Sequence, residues 1–194
     1  PLSGSFKLGM IATIAPFLSP LILPAIRRHL PNVSLILVEG LTADLEKAVA
    51  MGDLDGAITA TIPLASYLDD IPLYEEPFWI ALPQSHKLAS RRTINLSEID
   101  HDELLLLADG HCLRDQVLGV CQATENASHA NTRQTSLGTL LALVESGDGV
   151  TLVPALTKPS DKSLYSTIIT RPEASGLARR HVRIISRVSF PRKI

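Results

Sequence analysis

Strand-like and helix-like patterns of apolar residues alternate along the first third of the chain. Phe6, Leu8 and Met10 occupy every second position, which predicts a half-buried strand. Apolar residues then recur at three- and four-residue intervals, which predicts the buried face of a helix. That face comprises Phe17, Leu18, Leu21, Ile22, Ile26 and Leu30. A strand followed by a helix is the usual beginning of a parallel α/β sheet.

The same alternation continues through a second helix and two more strands. The apolar segments 34–39 and 54–60 predict these strands. Between them we expect a short helix with Thr42 as its N-cap, which carries Leu45 and Val49 inward.

A second set of elements begins with the apolar run 78–82, which is bounded by prolines and predicts a strand covered on both faces. Further short strands are expected at 104–107, 133–135 and 150–153. Residues 181–188 alternate like a strand that returns to the first set.

Composition limits the class of protein to which these elements belong. The chain has 194 residues, of which 45% are apolar and 20% charged, as in folded globular domains. Its formal charge of -2 argues against the positive surface of a DNA-binding domain. Two cysteines are too few for a disulfide scaffold, so we expect a reducing compartment, the cytoplasm.

One uncharged stretch, residues 8–26, is about as long as a membrane span. Pro16, Pro20 and Pro24 would interrupt a spanning helix there. We therefore expect neither a membrane segment nor a secretion signal, and instead a strand, a loop and a buried helix.

Both cysteines lie in one segment that surrounds a thiol with hydrogen-bond donors. Asp109-Gly110 predicts a turn, after which Cys112 would lie in the first turn of a helix. Unpaired N–H groups and the helix dipole favour an anion at that position. His111 and Arg114 add donors nearby. Each of these features lowers the pKa of a thiol, so we expect Cys112 to be reactive.

The cysteine spacing makes a disulfide conditional on a change of structure. A helix from Cys112 to Cys121 would separate its ends by about 13 Å, whereas a disulfide needs Cα atoms within about 7 Å. The segment must therefore unwind, and Gly119 is its weak point. The spacing does not match a zinc site, and no cofactor or metal is expected. Inert core cysteines, with Arg114 and Asp115 as a solvated ion pair, are the alternative.

Several short motifs occur in the order typical of one family. They are Asp-Gly-His-Cys-Leu-Arg-Asp-Gln at 109–116, Cys121, and the segments 11–16, 39–42, 74–77, 135–137 and 150–156. With them the chain, from about residue 6 to residue 194, resembles the regulatory domain of the OxyR branch of the LysR-type transcriptional regulators. That branch senses hydrogen peroxide.

The resemblance implies roles for particular residues. Cys112 would be the peroxidatic cysteine, which hydrogen peroxide converts to a sulfenic acid, and Cys121 the resolving cysteine that forms the disulfide. Five residues would help to bind the peroxide: Thr13, Thr42, His111, Arg114 and Asp115. Their donors and charge would stabilise the departing hydroxide. For Thr13 and Thr42, a turn and a helix cap are the structural alternatives.

The expected fold is α/β, with two Rossmann-like lobes of periplasmic-binding-protein type II style joined by two crossover strands. Lobe I would comprise residues 1–76 plus 181–194, and lobe II, which carries the redox cysteines, residues 77–180. The cleft between them would be lined by Thr13, Thr42, Ser136 and the cysteine turn.

The resemblance also implies partners and a mode of action. Oxidation would rearrange a homodimer of regulatory domains, a tetramer in the full-length protein, and reposition its DNA-binding domains. We expect DNA contact only through the family's N-terminal helix-turn-helix domain, which has no counterpart in these residues; the family's closing helix has none either. Glutaredoxin or thioredoxin would restore the thiols. Gly138 stands where relatives often carry an acidic residue.

Two other classes of protein remain open. One is a LysR-type effector domain that binds a small organic anion, in which the cysteines are incidental and Cys112→Ser leaves signalling unchanged. The other is a thiol peroxidase, or a solute-binding protein of related fold. A peroxidase would turn over peroxide many times per chain, whereas the expected sensor is not an enzyme and reacts once per signal.

Overall fold

The chain forms two compact units in a computed structural model that describes residues 3–121, 136–157 and 166–190. Unit 1 comprises Pro1–Glu75 and His181–Ile194, and unit 2 comprises Glu76–Arg180. The chain passes between the units twice, within strands β4 (Leu68–Pro83) and β7 (Arg179–Arg187). The fold is therefore the predicted α/β class with two lobes and two crossover strands. Residue 76 belongs to unit 2, one position from the expected boundary.

Unit 1 is built on parallel strands connected by helices. The elements that precede the crossovers are β1 (Gly4–Ile11), α1 (Ala15–His29), β2 (Val33–Gly40), α2 (Thr42–Met51) and β3 (Gly56–Thr59). All five were expected from the periodicity of apolar residues. The sheet has the order β2-β1-β3-β7, in which β1 is parallel to β2 and β3, and β7 is antiparallel to β3. The predicted inward positions of α2, Leu45 and Val49, are buried.

The burial expected for α1 is wrong. This helix is described throughout and has no fully buried residue, and Leu21 is 61% exposed. Pro20 and Pro24 lie inside the helix. Helical spacing located the element correctly, but α1 lies on the outside of the unit, so its apolar stripe is only partly covered.

The prediction that Thr42 is an N-cap is also wrong. Leu41, in an extended conformation, precedes the helix, and Thr42 is the first helical residue. Its backbone is already helical, so its hydroxyl cannot fold back over the N–H groups of the first turn. That hydroxyl is buried and has no hydrogen-bond partner among the described residues.

Unit 2 is organised around the end of β4. There β4 pairs antiparallel with β5 (Thr151–Pro154) and with β6 (Ile168–Pro172). Two helices, α3 (Cys112–Cys121) and α4 (Leu137–Ser146), complete the named elements of this unit. Ser136 caps α4: its hydroxyl accepts a hydrogen bond of 3.1 Å from the N–H of Thr139.

The strand predicted at 78–82 is only the end of a longer one, because β4 begins at Leu68 and continues through Pro77. Pro77 precedes the ladders with β5 and β6, which begin at Phe78 and at Trp79, so its missing N–H removes no hydrogen bond from either of these two. Among the described residues, the run predicted as a strand at 104–107 forms no named strand. It pairs instead through isolated bridges, one of them parallel between Leu104 and Val150, where the N–H of Leu105 donates to the carbonyl of Val150 at 2.8 Å. The segment 133–135 lies outside the described residues.

Ion pairs connect the two crossover strands. Within unit 2, Arg180 and Glu76 form a fully buried pair at 2.8 Å, and Glu76 also accepts the N–H of Leu156 at 2.8 Å. Within unit 1, Arg183 pairs with Asp70.

Among the described residues, no helix combines the length and the apolar composition needed to cross a membrane.

Candidate functional site

The first turn of α3 contains the cysteine segment. Gly110 has a φ of 90°, a left-handed conformation that favours glycine, and the chain enters the helix two residues later at Cys112. The N–H of Arg114 bonds to the carbonyl of His111 at 2.9 Å, which closes the first turn. Cys112 therefore lies at the predicted position, and its side chain is partly exposed.

The two thiols lie at opposite ends of one helix. Cys112 is the first residue of α3 and Cys121 the last, and both are thiols that are not joined in a disulfide. Nine steps of helical rise separate their backbones by about 13 Å, well beyond the roughly 7 Å limit for a disulfide. No disulfide can join them while α3 is helical.

Cys121 is buried on the inner face of α3, together with Leu113 and Val117. Burial disfavours the charged thiolate and raises the pKa of the Cys121 thiol to about 11. At neutral pH this group is a protonated thiol, which is a weak nucleophile. The helix therefore keeps Cys121 both distant and unreactive.

Arg114 has a carboxylate partner other than the one the sequence suggested. Its Nε atom lies 2.8 Å from Oδ1 of Asp109, and the Arg114 side chain is only 14% exposed. The Arg114–Asp115 ion pair of the alternative interpretation is not formed among the described residues, because Arg114 pairs with Asp109 instead. Asp115 follows on the helix and its side chain is exposed. Adjacent helical residues point in different directions, whereas the turn at Gly110 brings Asp109 back beside Arg114.

Asp109 is thus a site residue that sequence reasoning placed only in a turn. The Asp-Gly pair was the available signal, because a left-handed glycine reverses the chain just before the helix. The ion pair restrains the guanidinium next to the first turn of α3. Beyond this Nε contact, the guanidinium carries further N–H donors on its Nη atoms, which are of the kind that can donate to a ligand.

The other predicted site residues are distributed between the two units. In unit 2, His111 is half-buried, and Ser136 is exposed with its Oγ 2.9 Å from Oγ1 of Thr139. In unit 1, Thr13 is buried in the turn between β1 and α1, and Thr42 begins α2. The peroxide-binding role of His111, Thr13 and Thr42 stays a prediction, as does the place of Ser136 in the cleft. The part of the chain that the structure describes contains no group of three or more side chains suited to hold a metal.

Comparison with known proteins identifies the class of domain. Residues 1–188 match the model of the LysR substrate binding domain, and the chain belongs to that family. The chain is 37% identical over 161 residues to the hydrogen peroxide-inducible genes activator of Pectobacterium carotovorum subsp. carotovorum, which covers 83% of this chain and 53% of that protein.

Solved structures similar to this chain carry the name OxyR. The crystal structure of the reduced form of OxyR superposes with a TM-score of 0.87 at 32% identity, covering 97% of this chain and 88% of the other. The oxidised form gives a TM-score of 0.86 at 32% identity, covering 98% and 89%. The chain spans about half the length of the curated relatives it matches first.

Proposed function

We propose that the chain is the regulatory domain of a LysR-type transcriptional regulator that senses hydrogen peroxide. The observation that carries this proposal is one helix with a partly exposed thiol at its first residue and a buried thiol at its last. The similarity to peroxide-inducible activators and to OxyR in reduced and oxidised forms supports it.

Oxidation begins at Cys112 because it is the accessible thiol and lies where the helix N-terminus favours an anion. Its thiolate attacks one oxygen of hydrogen peroxide, and the O–O bond breaks. The sulfur loses two electrons to the peroxide and becomes a sulfenic acid. The departing hydroxide takes up a proton to give water, and the Nη donors of Arg114 stabilise its charge as it leaves.

Disulfide formation then requires α3 to open. Once the backbone unwinds, Cys121 leaves its apolar environment and its pKa returns towards the ordinary value. Its sulfur attacks the Cys112 sulfenic sulfur, an S–S bond forms, and the sulfenic hydroxyl leaves as water with the thiol proton. The covalent change is thereby converted into a change of backbone structure.

The proposal includes five peroxide-binding residues: His111, Arg114, Asp115, Thr13 and Thr42. The Thr42 hydroxyl, which is buried and has no partner in the part of the chain that the structure describes, and the Nη donors of Arg114 support it, since each can donate to a peroxide oxygen. Ser136, whose hydroxyl caps α4, is proposed as a residue of the cleft.

The proposed signal reaches DNA through a homodimer whose regulatory domains rearrange, within a tetramer of the full-length protein. An interface between two regulatory domains would cover exposed apolar residues of unit 1, among them Leu21, Ile36 and Val38. Analytical ultracentrifugation of the reduced and oxidised chain tests the dimer: a monomer at all concentrations in both states contradicts it.

The remaining partners belong to the proposal as well. DNA contact would come through the family's helix-turn-helix domain. Glutaredoxin or thioredoxin would restore the thiols in the cytoplasm.

Mass spectrometry after peroxide treatment tests the redox proposal. In the unmodified chain we expect a Cys112–Cys121 cross-link after treatment at micromolar peroxide. Cys121→Ser should accumulate sulfenic acid at Cys112, and Cys112→Ser should leave Cys121 reduced. Oxidation of Cys112 no faster than free cysteine would contradict the proposal and favour an effector domain with incidental cysteines.

The same chemistry distinguishes a sensor from a thiol peroxidase. Because resolution requires an unfolded helix, we propose that each chain reacts about once per signal and does not sustain peroxide consumption. With thioredoxin present as reductant, peroxide consumption beyond the first equivalent per chain should be slow, because each further cycle waits for helix opening and for restoration of the thiols. Continued rapid turnover would identify an enzyme.

A further inference from the structure

A second candidate site lies in unit 2, in a cavity of about 490 Å³ between β6 and the loop that follows β4. Arg91 and Arg92 line it from the loop, Arg171 from β6, and Trp79 from β4. None of the lining residues, all of them described, is acidic. The cavity is within the size range of small-ligand sites and does not involve either cysteine.

Arg171 fixes the loop that carries the other two arginines. Its Nη2 donates to the carbonyl of Ala89 at 2.9 Å, its Nη1 to the carbonyl of Thr170 at 3.1 Å, and its Nε to the carbonyl of Arg91. These partners are neutral, so the guanidinium stays uncompensated by a carboxylate within the described residues. Arg171 therefore positions the loop and also contributes positive charge to the cavity.

The remaining arginines are available to a ligand. Arg92 is exposed and has no partner among the described residues. Arg91 is 63% exposed and reaches Glu98 only at 3.8 Å, a contact that water screens strongly. With Glu98 counted against one of the three arginines, the cavity retains an excess of two positive charges.

The charge and the indole together define a ligand class. An excess of two charges matches a phosphate monoester, which carries nearly two negative charges at neutral pH, and guanidinium groups bind phosphate through paired hydrogen bonds. The half-buried Trp79 offers an aromatic surface on which a planar ring can stack. We infer that this cavity binds a phosphate monoester carried on a planar ring, with a nucleoside monophosphate as the simplest example.

Trp79 makes the inference directly measurable, because it is the only tryptophan of the chain. Its fluorescence, excited at the red edge of its absorption, is followed while adenosine monophosphate is added to the reduced 194-residue chain at low salt. Adenosine and inorganic phosphate are titrated separately, because the first lacks the charge and the second lacks the ring. We expect a saturable change with the nucleotide at submillimolar concentration and at least tenfold weaker binding of the other two.

A pair of charge-matched variants completes the test. Arg92→Gln should weaken nucleotide binding at least tenfold without lowering the unfolding temperature, because Arg92 has no partner in the described protein to lose. Arg28→Gln removes the same charge from an exposed position on α1 and should leave binding unchanged. No saturable change up to millimolar nucleotide, equal binding of inorganic phosphate, or equal loss in both variants would each overturn the inference.

Discussion

At the scale of single residues, the two thiols differ because the helix exposes one and buries the other. Cys112 has access to a small oxidant at the start of α3, whereas Cys121 is held as a neutral thiol by its apolar surroundings. The order of events follows from this difference. The accessible sulfur reacts first, and the buried one can react only after a change in the helix.

Burial of Cys121 predicts a specific loss of stability at alkaline pH. Its pKa is raised in the folded state, so the unfolded chain releases the thiol proton first, near pH 9, and the folded chain near pH 11. Below about pH 9 the full stability is present, and between these values the unfolding free energy falls by about 3 kcal/mol from this group alone.

Denaturant unfolding of the reduced chain and of Cys121→Ala across this pH window measures the effect. We expect the stability advantage of the unmodified chain to shrink as pH rises, because alanine has no proton to lose. A constant difference between the two proteins from pH 8 to 11 would show that Cys121 ionises as freely in the folded state as in the unfolded one.

For single residues, the sequence predicted the position of the cysteine Cys112 better than it predicted which carboxylate pairs with Arg114. The position of Cys112 in a first helical turn followed from the Asp-Gly turn signal and is confirmed. The partner of Arg114 did not follow, because its ion pair with Asp109 depends on the backbone reversal at Gly110. The N-cap predicted at Thr42 was one position too late, because Leu41 takes the N-cap conformation although its side chain cannot cap the helix.

At the scale of elements, α3 is the part of the molecule that must change. Gly119 lies within it, exposed, and a Cβ added there would meet nothing within 4 Å outside the local helix. Alanine is favoured over glycine in a helix by about 1 kcal/mol. Gly119→Ala should therefore stabilise the closed helix without a steric cost.

Rapid-mixing kinetics of Gly119→Ala test whether α3 has to open. A stabilisation of about 1 kcal/mol lowers the open population, and with it the rate of disulfide formation, about fivefold. Formation of the Cys112 sulfenic acid should keep its rate, which serves as the internal control. An unchanged rate of disulfide formation would show that helix opening does not limit the reaction.

The periodicity of apolar residues located most elements, but it predicted neither the full length of strand β4 nor the exposure of helix α1. The strands and helices of unit 1 were predictable because each carries its own repeat of apolar positions. The length of β4 was not predictable, because Asp69, Asp70 and Pro77 usually interrupt strands. Here all three lie within one strand that continues from unit 1 into unit 2. The exposure of Leu21 depends on which other elements pack against α1, and the local sequence pattern does not contain that information.

At the scale of the whole molecule, the chain passes between the units along two crossover strands, and within unit 2 a buried ion pair joins one strand to the other. Glu76 and Arg180 are almost fully buried, whereas the neighbouring pair Glu75 and His181 is more than half exposed and longer, at 3.7 Å. Removing one partner of a buried pair leaves a charge in an apolar environment, which is far more costly than losing an exposed contact.

Adjacent substitutions compare these two pairs directly. Glu76→Gln should lower the free energy of unfolding by about 3 to 5 kcal/mol, since Arg180 loses its buried carboxylate. Glu75→Gln is the matched control and should change it by less than about 1 kcal/mol. Thermal and denaturant unfolding measure both, and equal effects of the two substitutions would contradict the assigned importance of the buried pair.

The central claim is that the Cys112–Cys121 disulfide can form only when α3 unwinds, and hydrogen exchange measured by mass spectrometry tests it most directly. The later amides of α3 should be protected in the reduced chain and in peroxide-treated Cys121→Ser, which stops at the sulfenic acid. In the peroxide-treated unmodified chain, the same amides should exchange rapidly. A disulfide formed while α3 keeps its full protection would contradict the account.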